Sequence, residues 1–241
     1  MLSRPTWYLT VIPEVQAFLD GIREETASTR TACKQALYDF FELHLSAGDF
    51  ALGRGTGEAD AQRMPIDTVV IHHTSNPPGL SAARLSAIEL MRLYGPYFAN
   101  PPEDEKQLKG TLISSGHERG GKQVFWPYHW IIRNDGHAER LLFDSEIGWH
   151  AGNWDINCRS IAIALDDDYE SSKPSDLVLR AAATLIVNRY GQAPITRVFG
   201  HREVNEKTIC PSELFLNAPS GKGWKDDLIA TLAQLRQDLA A

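Results

Sequence analysis

The sequence is poor in cysteine, in long apolar runs and in positive charge, and each shortage excludes a class of protein. Its 241 residues contain three cysteines, Cys33, Cys158 and Cys210, which lie far apart and form no CxxC pair. An odd number of scattered cysteines excludes a fully paired set of disulfides within one chain. It is more typical of a reducing compartment or of a metal ligand. A chain of this length also buries enough surface to fold without disulfides.

Acidic residues outnumber basic ones: the sequence has 24 Lys and Arg residues and 31 Asp and Glu residues, for a net charge of -7. Proteins that hold nucleic acid by bulk electrostatics usually carry a basic face, so we expect no nucleic-acid partner. The opening stretch MLSRPTWYLTVIPEVQAFLDG has no apolar core behind a basic run and no small-residue cleavage site. No segment approaches the roughly 18 apolar residues of a membrane span. The sequence therefore predicts a protein without a signal peptide or membrane span, cytoplasmic as synthesised.

Residues 1–62 are predicted to form an N-terminal helical extension that ends in a linker. Apolar residues recur at helical spacing over residues 14–46, with a polar interval that predicts a break near residues 26–30. The following stretch SAGDFALGRGTGEADAQRMP has glycine and charge without periodicity, which is typical of a linker. Apolar helix faces, such as that of Phe40 and Phe41, predict packing on the next domain or on a partner or delivery factor.

Strands alternate with helices over residues 63–241, which predicts an α/β domain with a central β-sheet flanked by helices. The apolar, β-branched run TVVI before His72 predicts a strand in the middle of the sheet, and RSIAIAL and ITRVFG predict two more. YHWIIRNDGHAERLL predicts a hairpin. Helical spacing predicts three helices, over residues 81–94, 176–190 and 224–239. Gly95 and Pro96 are expected to end the first of them.

Three histidines fall at the ends of these predicted strands: His72 after TVVI, His150 in GWHAG and His201 after VFG. In an open α/β sheet, ligands collect beyond the strand ends, where residues distant in sequence can meet. Cys210, nine positions after His201, adds a thiolate. Two imidazoles and one thiolate, with water in the fourth position, are the donor set of a catalytic zinc site. A histidine and a free cysteine are also ordinary core residues, so His201 and Cys210 alone do not distinguish these readings.

Five blocks, VVIHHTS, YHWIIRNDG, GWHAG, RSIAIAL and GHREVNEKTICPS, occur in a recognisable order and spacing. Over about residues 66–216 the sequence thereby resembles the zinc-dependent N-acetylmuramoyl-L-alanine amidases, whose fold is shared by peptidoglycan recognition proteins and phage lysozyme-type amidases. The resemblance implies a central mixed β-sheet flanked by helices and one zinc ion per chain. The implied reaction is hydrolysis of the amide bond between N-acetylmuramic acid and L-alanine in peptidoglycan or muropeptides. Residues 1–62 lie outside the resemblance.

The resemblance implies that His72, His201 and Cys210 are the zinc ligands. It also implies a catalytic position for Tyr128, whose hydroxyl could orient the attacking water or donate to the oxyanion. Zinc would lower the pKa of water toward about 7 and polarise the amide carbonyl.

Further site residues are implied less directly. The histidine of the family's HAG block falls on His150, which there lines the substrate groove, and we predict Trp149 and Asn153 as substrate contacts beside it. The family's lysine or threonine two places before the last ligand matches Thr208 by position or Lys207 by chemistry. One more residue stands between the last two ligands here than in many members, so both remain candidates for the second catalytic group.

Two functions stay open at this point, a peptidoglycan amidase and a binding module of the same fold that holds muropeptide without cutting it. Cys210 favours the enzyme, because non-catalytic relatives commonly replace this ligand. The setting is also open between a phage-type lysin, a toxin moved by a secretion machine and an enzyme that trims recycled wall fragments.

Other polar residues are predicted to have structural roles. We expect His73 and His129 to be packed or to support the metal ligands without binding the metal themselves. We expect His117 to lie in a solvated loop, and Glu203 is a candidate to hold His201 in one tautomer. The acidic run of Asp166, Asp167 and Asp168 is expected to be a solvated loop rather than a calcium site.

Overall fold

The structure is a computed structural model that describes residues 26–48, 52, 58–99, 114–191, 197–217 and 221–240. The chain divides into two compact units, one of residues 1–58 with 81–125 and the other of residues 59–80 with 126–241. The first helix predicted within residues 14–46 lies mostly outside the described residues.

The described elements, in chain order, are α1 (Ala27–Ala47), a 3-10 helix (Glu58–Gln62), β1 (Thr68–His73), α2 (Ala82–Ala99), β2 (Glu118–Arg119), β3 (Lys122–Gln123), β4 (Trp130–Ile132), β5 (Ala138–Arg140), α3 (Trp154–Arg159), β6 (Ser160–Leu165), α4 (Asp176–Tyr190), β7 (Arg197–Gly200), α5 (His201–Val204), a second 3-10 helix (Glu213–Phe215) and α6 (Trp224–Ala240). None of the helices in these ranges is long and apolar enough to cross a membrane.

In the first unit, α1 packs against α2. Helix α1 begins after Thr26, inside the predicted break, and ends at Gly48, whose φ of 78° is the left-handed conformation that glycine adopts readily. Phe41 is fully buried. Arg84 of α2 forms ion pairs with two carboxylates of α1, at 2.6 Å to Asp39 and 2.9 Å to Glu42. An amphipathic α1 is thus bound to its neighbour by apolar burial and by charge.

Two predictions for this unit are wrong. Helix α2 does not end at Gly95 and Pro96 but continues to Ala99. Proline removes one hydrogen bond of a helix yet keeps φ near the helical value, so it does not oblige a helix to end. His117 is 5% exposed rather than solvated. Its segment is folded back by the β2–β3 hairpin, in which the backbone N–H of Val124 donates to the carbonyl oxygen of His117 at 3.0 Å.

Within the described part of the second unit, five strands form a mixed sheet in the order β5-β4-β6-β1-β7. Strands β4, β6, β1 and β7 are parallel neighbours, and β5 pairs antiparallel with β4. This confirms the mixed sheet and the hairpin, and β1 is buried with a strand on each side, although β6 is the middle strand. The predicted helices over residues 176–190 and 224–239 are also confirmed, as α4 and α6.

The main apolar core of this unit joins one face of the sheet to α4 and α6. Alternate residues of the central strands supply the sheet side, among them Val69, Ile71, Ile161 and Ile163. Because successive strand residues point to opposite faces, the intervening residues Val70 and His72 of β1 and Ala162 and Ala164 of β6 face away from this core. The other face of the sheet therefore presents histidine beside small side chains.

Asp166, just after β6, corrects the prediction of a solvated acidic loop. Its side chain is 1% exposed. One carboxylate oxygen accepts from the Arg133 guanidinium at 2.7 Å and from the backbone N–H of Gly79 at 3.0 Å. A buried carboxylate requires such partners, and here they come from segments far away in sequence. Asp168 is exposed, as predicted.

Candidate metal centre and active site

His72 and His201 meet because of the parallel register at the ends of β1 and β7. Ile71 pairs with Gly200, so the residues that follow them, His72 and His201, lie at the same level of the sheet. Their ring centroids are 4.7 Å apart. His72 is 1% exposed, whereas His201, at the start of α5, is half-buried.

Cys210 is brought to the two histidines by a loop that folds back on α5. The backbone N–H of Arg202 donates to the carbonyl oxygen of Cys210 at 2.7 Å, and the Cys210 N–H donates to Thr208 Oγ1 at 3.1 Å. Gly200 allows a close approach at this point, because a Cβ there would lie 2.6 Å from the Phe215 ring and 2.8 Å from Pro211. The Cys210 sulfur comes within 3.7 Å of His72 Nδ1.

His72, His201 and Cys210 therefore form one cluster, in which a potential ligand atom of each lies within 4.8 Å of those of the others. Burial lowers the pKa of His72 well below its ordinary value, and the nearby His150 and His201 add to the shift. Burial likewise lowers the pKa of His201 to about 4, against the opposing effect of a hydrogen bond with the backbone of Ala151. The shifts favour the neutral form of both rings, which carries the lone pair that a metal ion requires. These three residues could hold a metal ion.

His150 lies against this cluster and is itself buried, at 5% exposure. Its Nδ1 is 3.0 Å from His72 Nε2, and its Nε2 is 2.9 Å from Ser160 Oγ. Burial lowers its pKa well below the ordinary value, with further contributions from the neighbouring His129, His201 and Arg63. The structure thus brings His150 to the candidate ligands rather than to an exposed surface.

Tyr128 and His129 precede β4 and differ in their contacts. The Tyr128 ring is buried, with its centroid 5.0 Å from that of His72. His129 accepts at Nδ1 from the backbone N–H of Ala162 at 3.1 Å, so its Nε2–H donates to the carbonyl oxygen of Glu146 at 2.9 Å. Its hydrogen-bond partners among the described residues are backbone groups, and its ring meets that of His150 edge to face with the centroids 6.4 Å apart. This agrees with the prediction of a packed histidine. Burial lowers its pKa to about 3.

The remaining predicted site residues are more exposed. Trp149 is 51% exposed and its ring meets that of Trp154 edge to face, with the centroids 5.7 Å apart. Asn153 accepts from the backbone N–H of Ile156 at 3.3 Å and thereby caps α3. Lys207 is exposed and Thr208 is half-buried.

Glu203 does not hold His201, contrary to expectation. Its carboxylate accepts from the backbone N–H of Gly200 at 2.8 Å and pairs with Lys225 at 2.7 Å. On the first turn of a helix, a side chain at the third position reaches back toward the residue before the helix. Nearness in sequence to His201 was therefore a misleading signal.

A second group of potential ligands consists of His73, Asp168 and Glu170. His73 is buried and accepts at Nδ1 from the backbone N–H of Tyr169 at 3.1 Å. This confirms the packed role predicted for His73. Both carboxylates are exposed, and exposed acidic groups are common without a metal ion.

Sequence reasoning missed the residues that support His150. Asn157 Oδ1 accepts from the backbone N–H groups of His150 at 3.2 Å and of Ala151 at 2.8 Å. Ser160 bonds the ring and is 0% exposed. A polar residue that opens the otherwise apolar strand SIAIAL is the signal that could have identified Ser160.

Arg63 supports the same segment from a distance of about 95 residues in sequence. Its guanidinium donates to the carbonyl oxygens of Asn157 at 3.0 Å, Cys158 at 3.2 Å and Ser160 at 2.9 Å, and to that of Asp144 at 2.8 Å. A guanidinium has five donors in a rigid fork, which suits it to gather several carbonyl groups. Arg63 thereby fixes the backbone of Asn157 and Ser160, the two residues whose side chains bond to His150.

The sequence profile of the N-acetylmuramoyl-L-alanine amidase family matches residues 62–213. The match spans most of the chain and contains every residue of the cluster, so the chain belongs to this family. The comparison with curated proteins found no match.

Three of the solved structures that match this chain have low sequence identity. The endolysin amidase LysCS of Clostridium intestinale URNW is 20% identical, with 76% of this chain and 90% of that chain covered and a TM-score of 0.47. The Drosophila peptidoglycan recognition protein SD is 20% identical, with 66% and 83% covered and a TM-score of 0.45. An endolysin from a Thermus scotoductus bacteriophage is 18% identical, with 70% and 86% covered and a TM-score of 0.45.

Proposed function

We propose that this protein is a zinc-dependent amidase that hydrolyses the bond between N-acetylmuramic acid and L-alanine in peptidoglycan or muropeptides. The observation that carries the proposal is the cluster of His72, His201 and Cys210 in a chain of the amidase family. A binding module that only holds muropeptide has no need of a complete set of three metal ligands. The cluster therefore favours the enzyme.

The donor set suits one zinc ion per chain. Two neutral imidazoles and a thiolate are ligands that zinc prefers, and usual Zn–N and Zn–S bond lengths with tetrahedral angles separate N from S by about 3.5 Å. The distance from His72 Nδ1 to Cys210 Sγ is 3.7 Å. These three residues would hold the ion and would leave room for water or substrate as a further ligand. When bound, zinc supplies Lewis-acid activation of water and of the amide carbonyl near neutral pH.

Tyr128 is proposed as a catalytic residue because its ring lies beside that of His72. From this position a phenol can orient the attacking water or donate to the oxyanion that develops on the amide oxygen. Lys207 and Thr208 are both kept as candidates for a second donor. Thr208 Oγ1 accepts from the backbone N–H of Cys210, whereas Lys207 is an exposed basic side chain.

Substrate contacts are proposed for Trp149 and Asn153, next to His150 in the loop before α3. Trp149 and Trp154 present exposed aromatic surface, and Trp154 is fixed by donation from its indole N–H to Gln62 Oε1 at 2.9 Å. Exposed aromatic rings of this kind can stack on a sugar. We expect these residues to affect substrate affinity more than turnover.

The test is mass spectrometry of purified peptidoglycan and muramoyl-peptides after incubation with the protein, with and without a chelator. Hydrolysis should yield a lactyl carboxylate on the sugar and a free alanine amine on the peptide, and the chelator should abolish both products. Binding without cleavage by the zinc-loaded protein would instead identify a recognition module.

We further propose residues 63–241 as the amidase domain and residues 1–62 as an extension that stabilises it. Helix α1 of the extension packs on α2, with Phe41 buried and Arg84 paired to Asp39 and Glu42. A chain that begins at residue 63 should therefore unfold at a lower temperature or be less soluble than the full chain. Equal stability and solubility would make residues 1–62 an arm for a partner or delivery factor.

A further inference from the structure

We propose that His150 is a positioning residue: it accepts the Nε2–H of His72 and so leaves His72 Nδ1 free to bind the metal ion. This inference rests on the proposed zinc site but assigns His150 a role other than a substrate contact. His150 is 5% exposed, and both of its ring nitrogens already face side chains, so little of the ring is left for a substrate.

The two nitrogens of His72 face different neighbours. Nδ1 lies 3.7 Å from the Cys210 sulfur, on the side of the other candidate ligands, and Nε2 lies 3.0 Å from His150 Nδ1. A neutral imidazole has one N–H and one lone pair. If Nδ1 binds a metal ion, the hydrogen must be on Nε2. Because His72 is 1% exposed, that hydrogen has no access to solvent and requires an acceptor within the protein.

His150 Nδ1 is that acceptor when the hydrogen of His150 is on Nε2. In this tautomer the His150 Nε2–H donates to Ser160 Oγ, 2.9 Å away. A serine hydroxyl can accept as well as donate, so Ser160 permits the arrangement. His72 then donates to His150, and His150 donates to Ser160. With its hydrogen on Nε2, His72 has the lone pair of Nδ1 available for the metal ion.

The surroundings hold His150 in this place. Asn157 Oδ1 accepts from the backbone N–H of His150, and Arg63 binds the carbonyl oxygens of Asn157 and Ser160. Groups that orient a metal-binding histidine commonly change metal affinity by about 10-fold to 100-fold when removed. A role of this size can be measured without any substrate.

The first measurement is zinc affinity by competition with a chromophoric chelator. His150→Leu should bind zinc about 10-fold to 100-fold more weakly than the wild type, because it removes the acceptor for His72. His150→Asn can offer Oδ1 near the position of the imidazole Nδ1 and should recover much of the affinity. His129→Leu is the matched control, because it removes a neighbouring buried histidine whose hydrogen bonds go to backbone groups and whose ring meets His150 only edge to face, with the centroids 6.4 Å apart. It should lower thermal stability and leave zinc affinity close to that of the wild type.

A double-mutant cycle tests whether Ser160 acts through His150. Ser160→Ala should weaken zinc binding in the wild-type background and have no further effect in His150→Leu. Additive losses would mean that Ser160 does not act through His150 and would contradict the proposed order of donors.

The last measurement uses only the wild type, so it tests the proposal even if His150→Leu does not fold. Nitrogen-15 NMR of the zinc-loaded wild type should show His72 with the metal on Nδ1 and hydrogen on Nε2. Coordination through His72 Nε2, or wild-type zinc affinity in a folded His150→Leu, would overturn the role of His150 alone. A wild-type chain that binds no zinc would overturn the proposed function with it.

Discussion

Ile71 and His72 are neighbours on β1, both almost completely buried, yet they belong to two different regions. Ile71 packs into the apolar core between the sheet and helices α4 and α6. His72 faces the other way and meets His150, His201 and Cys210. Burial alone therefore does not reveal what a residue contributes. The difference lies in the partners, which are apolar side chains for Ile71 and polar, hydrogen-bonding groups for His72.

The comparison implies that stability and activity reside on opposite faces of one strand. Apolar burial contributes free energy roughly in proportion to area. The histidine cluster instead keeps polar groups out of water without charge, at a cost that is offset only by their mutual hydrogen bonds or by a metal ion. Substitutions on the two faces should consequently separate the two properties.

The largest effect is expected from His72→Ala. Loss of this ligand should release zinc and lower amidase turnover by about 1000-fold or more, because Lewis-acid stabilisation worth several kcal/mol leaves with the metal. Stability of the metal-free protein should fall by about 1–3 kcal/mol of unfolding free energy, because buried His150 loses its hydrogen-bond partner. Metal analysis, turnover on a muramoyl-peptide and thermal unfolding with a chelator present measure the three quantities. Full zinc occupancy in a His201→Ala, Cys210→Ser double variant would show that the cluster does not bind the zinc ion.

Ile71→Ala is the reciprocal change on the other face of the strand. Truncation of a fully buried isoleucine should cost about 2–5 kcal/mol of unfolding free energy, and Ile71→Val about 0.5–1.5 kcal/mol. Zinc content and turnover of the folded Val variant should match the wild type. Urea unfolding gives the first quantity, and metal analysis with kinetics gives the second. If the Val variant lost zinc, the two faces would be coupled.

Tyr128→Phe should lower turnover by roughly 100-fold or more, because a donor to the transition state is removed. Zinc content and muropeptide affinity should be nearly unchanged, since a phenol of this kind acts mainly on the transition state. Steady-state kinetics on a defined muramoyl-peptide, with metal analysis, decide the matter. Wild-type turnover would remove Tyr128 from the mechanism, and a parallel loss of zinc would make it a structural residue.

The smallest effect concerns His129 and the pH dependence of stability. Burial lowers its pKa to about 3 in the folded protein, whereas the unfolded chain binds the proton near pH 6.5. Between these values the unfolded state holds more protons, so stability falls as the pH is lowered from about 6.5 toward about 3. His129→Gln should reduce this dependence by up to about 1.4 kcal/mol per pH unit. Urea unfolding of the metal-free proteins between pH 7 and pH 5 measures it, and equal slopes would contradict the assignment.

Much of the fold could be predicted because its signals are local. The apolar run before His72 predicted a central strand, and the helical periods over residues 176–190 and 224–239 agree with α4 and α6. The end of α2 was missed because Gly95 and Pro96 only lower the preference for a helix. Helix boundaries depend on packing as well as on the residues at the boundary.

The buried polar residues were harder to predict because their partners are remote. Asp166 is buried because Arg133 and Gly79 reach it. Ser160 contacts His150 because the loop before α3 brings His150 to the start of β6. Glu203 misled in the opposite sense, since it is near His201 in sequence but bonds Gly200 and Lys225.

The sequence by itself determined the fold class and the candidate ligands. It predicts an α/β chain in which His72 and His201 follow strands, and Cys210 lies nine residues after His201. The periodicity of apolar residues and the turn residues act over a few positions, so they can be recognised from the sequence alone. Tertiary structure decided which nitrogen of His72 faces the cysteine, and it placed His150 inside the cluster while the hydrogen bonds of His129 go to backbone groups. Hydrogen bonds require distances near 3 Å and a defined direction, and only the folded chain fixes both.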